Sequence, residues 1–580
     1  MKRVSSLSLL IVVFSSFSLG AAQVRRFDSR SASPGTFARA RDGVSRVEQF
    51  SFDSDLPAFL ADVPMETEVR LRDWPLSPGL RGDVALTRHD VYAPDAHIYR
   101  VDAAQVTELP RSSLLFFWGT AAQDENTRVV VIFDPGKKTF RGLAQTPAGV
   151  QELRSETEGV AGRHLLGEAR SFLSPWESAQ PWTCLGEELP FNSKTDGASR
   201  RVLAGVAPLA ITSLHTATMA VDTDNELMAY YGDNTTNATN YIASLFASMN
   251  LIYERDLLVR LVQGTTFLRV TTTLDPYLLG VNSGAGLSNL NEFSNYWGAN
   301  YSGVPRALAM MLSGKQSSSN SASGIAWLDS LCSTGAGYSY SQVFKINYLA
   351  GDTYVVAHEI GHNFGSLHTH CYIPPIDTCY NGESCYSGPT SCPAPATYSG
   401  MANVTGTLMS YCHISGLPGC TSSPVYHPRS IAFLQPKIVL AVGTCIFPFT
   451  VAAAGPAMFY SLTPCRILDT RGATGALAGP ALQANATRIF GVAGACGVPA
   501  TAKSISTNVT ITQPAASGDL KMFPGDLGVP SGTAISFSAG ATRANNAQVR
   551  LPTNATGTIA VQNESTGTVQ FILDVNGYFQ

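Results

Sequence analysis

The stretch His358-Glu359-Ile360-Gly361-His362-Asn363-Phe364-Gly365-Ser366-Leu367-His368 decides how this chain is read. Ahead of it, Asp352-Thr353-Tyr354-Val355-Val356-Ala357 offers a capping residue and then an apolar run, so a helix starting at Asp352 is expected. Residues four apart share a helix face. His358 and His362 can therefore grip one zinc ion, each through a nitrogen at about 2.0–2.1 Å. Glu359 stands beside that stack and can take a proton from a metal-activated water. Gly365 offers a left-handed helix end, after which His368 returns as a third nitrogen ligand. Three ligands leave a fourth position open, the mark of a catalytic zinc site. Histidine is scarce, 10 in 580 residues, so a glycine and a third histidine at fixed offsets argue against ordinary surface histidines.

His-Glu-x-x-His-x-x-Gly-x-x-His resembles the zinc-binding consensus of the metzincin metallopeptidases. The wording His-Glu-Ile-Gly-His-Asn-Phe-Gly is most similar to the reprolysin (adamalysin) branch, particularly its bacterial-type secreted members. The resemblance implies one catalytic Zn2+ and a methionine turn, for which Gly406-Thr407-Leu408-Met409-Ser410-Tyr411 is the candidate. Met409 would pack beneath the ligands as a polarizable side chain. The resemblance also implies Ca2+, whose ligands it does not place. Adamalysins usually follow the third histidine with Asp, whereas this chain has Thr369, and the interval to Met409 is long and rich in cysteine. Both departures bear on the specificity pocket. Tyr411 stands where astacins and serralysins place a zinc-associated tyrosine. Two readings of it stay open: a hydroxyl that stabilises the oxyanion, or a core tyrosine at a tight turn.

A chain of 580 residues exceeds one ordinary domain. Its net charge of −4 argues against a nucleic-acid footprint. Lys2 and Arg3 precede an apolar run from Leu7 to Leu19 and the small residues Gly20-Ala21-Ala22, which reads as an export signal over residues 1–22. That run is short for a membrane span, so stable membrane insertion is not expected. The 11 cysteines fit an oxidising compartment, and a secreted, extracellular protein is expected.

Residues 23–205 carry β-type apolar runs, Leu114-Leu115-Phe116-Phe117-Trp118 and Val129-Val130-Val131-Ile132-Phe133, the second ending in the turn signal Asp134-Pro135-Gly136. By resemblance this β-rich region is a prodomain that blocks the active site of a precursor. Ser199-Arg200-Arg201 is either an exposed processing site or a solvated loop pair. Cys465 and Cys496 are expected to pair, and eight further cysteines lie in or beside the peptidase region, which leaves Cys184 over. A thiolate can fill the open zinc position. Latency through Cys184 resembles the cysteine switch of adamalysins and matrixins, although its surroundings do not match their consensus; a structural or unpaired thiol is the other reading.

The peptidase domain is expected over 206–446, an α/β architecture with a twisted sheet under two long helices. Strand His215–Asp222 comes first, then an apolar helix face through Ala238, Tyr241, Ile242, Leu245, Phe246, Met249 and Ile252. Strands are read at 255–262, 266–271 and 306–311, and a helix at 287–297. Ser323–Leu328 resembles the metzincin edge strand, which binds extended peptides by strand addition. His370 and His413 lie near the cysteine-rich loop and are read as ordinary histidines, three ligands being already assigned. Residues 447–580 alternate at Ile505, Thr507, Val509 and Ile511 and again at Val569, Phe571, Leu573 and Val575, which predicts an all-β sandwich. Cell-surface or glycan contact and passive stabilisation are both open for it. The chain is therefore read as a secreted zinc endopeptidase acting on protein or peptide substrates. An inactive protease-fold adhesion protein and a zinc hydrolase of cell-wall peptides are the alternatives.

Overall fold

The computed structural model describes residues 25–28, 36–39, 46–102, 105–147, 149–155, 163–172, 183–184, 210–270, 275–280, 285–315, 323–343, 349–449, 459–499, 502–525, 529–530, 532–552 and 557–579. The export signal and the Arg200-Arg201 pair fall outside them. The chain is β-rich, with several sheets and few helices. It divides into two compact units, Met1–Val451 and Ala452–Gln580.

The first unit holds two large sheets. One is ten-stranded and built from strands between Arg25 and Glu168, antiparallel except where Arg25–Asp28 runs parallel to its neighbour Glu68–Ser77. Its two apolar runs have a simple physical origin. In strand Asp124–Asp134, Val129, Val131 and Phe133 enter a core internal to the upstream region, while Val130 and Ile132 enter a core shared with the helices further along the chain. A strand covered on both faces reads as continuously apolar. Asp134 closes the following hairpin by accepting from Gly136 N and Lys137 N at 2.9 and 3.0 Å.

The second sheet positions the site. Its elements are β1 (Ile98–Val101), β2 (Val106–Leu109), β3 (Thr183–Cys184), β4 (His215–Thr223), α1 (Thr235–Leu257), β5 (Val259–Arg269), α2 (Leu287–Asn300), β6 (Leu308–Ser313), β7 (Ser323–Ala326), β8 (Tyr338–Gln342), α3 (Leu349–Asn363), α4 (Pro428–Ala441) and β9 (Ile446–Pro448). The strand order is β3-β7-β8-β6-β4-β5-β1-β2, with β9 antiparallel to β4. Strands β8, β6, β4, β5 and β1 run parallel, and β7 is antiparallel to β8.

Asn234 caps α1 by accepting from Asn237 N at 3.0 Å. The expected pair of strands at 255–262 and 266–271 is one strand, β5, and Arg255 belongs to α1. The chain reverses at Leu258, which has a left-handed φ of 56°. Gly264 does not break the strand, because its bare backbone lies against Thr218 of β4.

The second unit comprises two four-stranded antiparallel sheets, Phe459–Asp469, Gln570–Phe579, Ser504–Thr512 and Arg543–Arg550 in one, and Thr487–Gly491, Thr558–Asn563, Gly518–Pro524 and Ile535–Phe537 in the other. Residues of both sheets share one apolar core. Along Ser504–Thr512, Ile505, Thr507, Val509 and Ile511 are the inward set. Cys465 pairs with Cys496, as their isolation in the sequence suggested. No helix among the described residues is long and apolar enough to cross a membrane.

Candidate active site

Helix α3 is buried except at Ala350, with Tyr354, Val356, Ala357 and Ile360 packed into the core shared with α1. Asp352 is not its N-cap. The helix begins at Leu349, and the Asp352 carboxylate instead accepts from Tyr241 Oη of α1 at 2.8 Å, tying the two helices together. At the other end Gly365 takes a φ of 104°, a left-handed conformation that suits glycine, and its N–H bonds to His362 O at 2.8 Å.

That turn brings His358, His362 and His368 together. Their Nε2 atoms lie 3.1 Å (His358 to His362), 3.1 Å (His362 to His368) and 3.3 Å (His358 to His368) apart. Tetrahedral bonds of about 2.0–2.1 Å to one zinc ion require nitrogens about 3.3 Å apart, so the triangle fits. Each Nδ1 is held by a fixed acceptor: Leu408 O at 2.8 Å for His358, Ser366 O at 2.8 Å for His362, and Glu383 Oε2 at 3.0 Å for His368. With the proton assigned to Nδ1 by these acceptors, each Nε2 presents a lone pair. Burial lowers the pKa of all three imidazoles, that of His362 to about 3, so they are neutral at ordinary pH. Three converging imidazole lone pairs are a donor set that suits a cation such as zinc.

Met409 packs against α3 between His358 and His362 in the chain. A Cβ on Gly361 would come within 2.8 Å of Met409 Sδ, so the helix and the methionine turn are in close contact there. The Asp that adamalysins place after the third histidine is replaced by Thr369, whose N–H and Oγ1 both donate to Met409 O, at 3.0 and 3.3 Å. The ligand turn and the methionine turn are thus joined without a carboxylate. The buried Tyr411 ring sits 4.4 Å from that of His368 and 6.4 Å from that of His358. His370 shares the Glu383 carboxylate with His368, at 3.0 Å, while His413 meets Ser422 at 3.0 Å.

Sequence reasoning missed Glu383. It comes from the irregular cysteine-rich loop and accepts from His368 Nδ1 and His370 Nε2 together. Burial works against its charge, yet those two hydrogen bonds outweigh it and hold its pKa well below the usual carboxylate range. The Cys371–Cys385 disulfide closes the same loop and keeps Glu383 beside the ligand turn. Gly324 was missed as well. Glu359 is fully buried, and a Cβ on Gly324 would lie 2.3 Å from Glu359 Oε1 and 2.4 Å from its Cγ. The edge strand approaches the carboxylate so closely that only hydrogen fits between them. Asn363 braces the helix end by donating from Nδ2 to Trp327 O at 2.8 Å and Tyr338 O at 2.9 Å. The backbone of Cys184 lies beside Gly324, since β3 pairs in parallel with β7 through Thr183 with Ser323 and Cys184 with Gly324.

Two imidazoles one helical turn apart, a glycine-ended helix, a third imidazole and a methionine packed on that helix fit the metzincin class of peptidase folds. Residues 213–417 match Reprolysin_5, metallo-peptidase family M12, and this stretch is a reprolysin-like metzincin domain. No curated protein matches the chain. A solved structure described as "Structure of a chaperone-substrate complex" overlays with 11% identity and a TM-score of 0.23, covering 39% of this chain and 35% of that one. The chain thus spans about a third of that structure, and a likeness this slight carries no argument.

Two substitutions probe the supports. Gly324→Ala should leave fold and metal content intact and lower kcat/KM about 10²-fold, the scale expected when a reacting group shifts by about 1 Å; wild-type turnover would contradict the close-approach argument. Glu383→Ala should weaken zinc retention about 10–100-fold in a chelator competition, with Glu383→Gln intermediate. Unchanged retention in both would show that the carboxylate does not orient His368.

Proposed function

We propose that this chain is a zinc-dependent endopeptidase, exported and made as a precursor. The observation that carries the reading is the triangle of Nε2 atoms at 3.1–3.3 Å, each imidazole fixed from behind by its own acceptor. His358, His362 and His368 would hold the ion, and its charge would polarise a scissile carbonyl and lower the pKa of water towards about 7.

The chain's own groups do the rest. Glu359, next to the ligands and against the edge strand, takes the proton of the attacking water and passes it to the leaving amine. The outer edge of β7, once β3 has left it, holds an extended peptide through backbone hydrogen bonds, which accept any sequence. Tyr411, its ring tilted against that of His368, supplies a hydroxyl near the developing oxyanion. Protein or peptide substrates follow from this strand-addition mode and from the family of the domain.

The precursor reading is supported by β3. Thr183 and Cys184 take up the edge of β7 at Ser323 and Gly324, the backbone groups that a substrate would otherwise use. A thiolate from Cys184 would be a suitable occupant of the open ligand position. Residues 1–22 and Arg200-Arg201 supply the export signal and the cutting site in this scheme. The second unit offers a surface for attachment outside the cell.

Glu359→Gln should retain one zinc per chain and lose chelator-reversible casein digestion by about 10²–10⁴-fold, the usual contribution of a general base. Persistent digestion would remove Glu359 from the mechanism. Cys184→Ala should make the uncut chain active on a short fluorogenic peptide. If that variant stays as latent as the wild type, the thiol is not the block.

A further inference from the structure

The upstream chain reaches both ends of the second sheet, and the two contacts differ greatly in size. At the active-site end it is the two-residue strand β3 on β7. At the far end, hairpin β1–β2 extends the sheet beyond β5. Ile98–Val101 pairs in parallel with Thr266–Arg269. Gln263 N–H donates to Val91 O at 2.7 Å, and Ala93 N–H donates to Gln263 O at 2.8 Å. Thr266 N–H donates to His97 O at 2.8 Å and Val270 N–H to Val101 O at 3.0 Å. Without these partners β5 would be an open, apolar edge.

Side chains repeat the pattern. Phe116, Trp118, Val130, Ile132 and Leu143 of the upstream sheet share one core with Ile242, Leu245, Phe246, Met249 and other residues of α1. Trp118 Nε1 donates to Glu254 Oε2 at 3.2 Å, and Ser112 Oγ donates to Asn240 Oδ1 at 2.6 Å. Arg260, 3% exposed, lies 4.9 Å over the Trp118 ring with Nη1 3.2 Å from His89 Nδ1. A Cβ on Gly400 would collide with Asn126, so the upstream hairpin also meets the region just before the methionine turn. This is the anatomy of a domain core, not of a detachable cover.

We infer that the upstream segment, residues 46–172 among those described, is a lasting part of the peptidase. Cutting near Arg200-Arg201 hydrolyses one peptide bond and lets β3 leave β7, while the segment stays bound to β5 and α1 as a non-covalent subunit. The cut rests on the precursor reading above; the association does not.

The test inserts a site-specific protease sequence after Arg201 in the full chain, cuts it to completion, and runs native size-exclusion chromatography. The two fragments should co-elute in equal amounts at the volume of the uncut chain and part only in denaturant. The same chain with Val130→Asp and Ile132→Asp, cut in the same way, should release its upstream fragment at least tenfold more readily. Release of the upstream fragment from the otherwise native chain, whether the remainder stays soluble or precipitates, would overturn the inference. The readout is co-elution, so a cut complex that stays together yet digests no casein would count against the peptidase reading alone.

Discussion

Three imidazole lone pairs held 3.1–3.3 Å apart in a buried site repel one another unless a positive charge lies among them. Holding them together is a cost that the surrounding structure meets. Helix α3 sets His358 and His362, the Gly365 turn returns His368, and acceptors from Leu408, Ser366 and Glu383 fix the tautomers. The methionine turn supplies one of those acceptors directly and is tied to the ligand turn through Thr369. The edge strand then sets Glu359 in place at Gly324. Apart from the Ser366 contact and the Gly365 turn, these contacts join segments distant in sequence, so the site is a product of the fold and not of the motif alone.

What the sequence made legible was what local spacing encodes. The ligand helix, helix α1 and the alternating strands of the second unit follow from periods of two or four residues, and the glycine end and third histidine from fixed offsets after them. Features that depend on distant partners were not legible. Glu383 comes from a loop without any period. Gly324 matters only because α3 passes over it. Asp352 looks like a cap until Tyr241 is seen to claim its carboxylate. The β5 strand was read as two, whereas Gly264 lies inside one continuous strand and permits its close approach to β4.

Cysteine pairing shows the same limit. Counting left eight cysteines in the peptidase region, but three pairs form, Cys332–Cys445, Cys371–Cys385 and Cys379–Cys412, and Cys392 and Cys420 are thiols. Parity cannot see distance, and only the fold decides which sulfurs meet. The upstream apolar runs carried a further message that periodicity alone does not decode. Their continuous character means two covered faces, and the second cover is helix α1. A region that looked like a separate leader is packed as part of the body it precedes.

The account depends on one ion sharing three nitrogens. X-ray absorption at the zinc edge, made on purified protein with its metal content counted, measures this directly. The expected result is one zinc per chain with imidazole scattering at about 2.0–2.1 Å from three nitrogens. A chain that takes up no zinc, or whose zinc spectrum lacks imidazole scattering, would contradict the account.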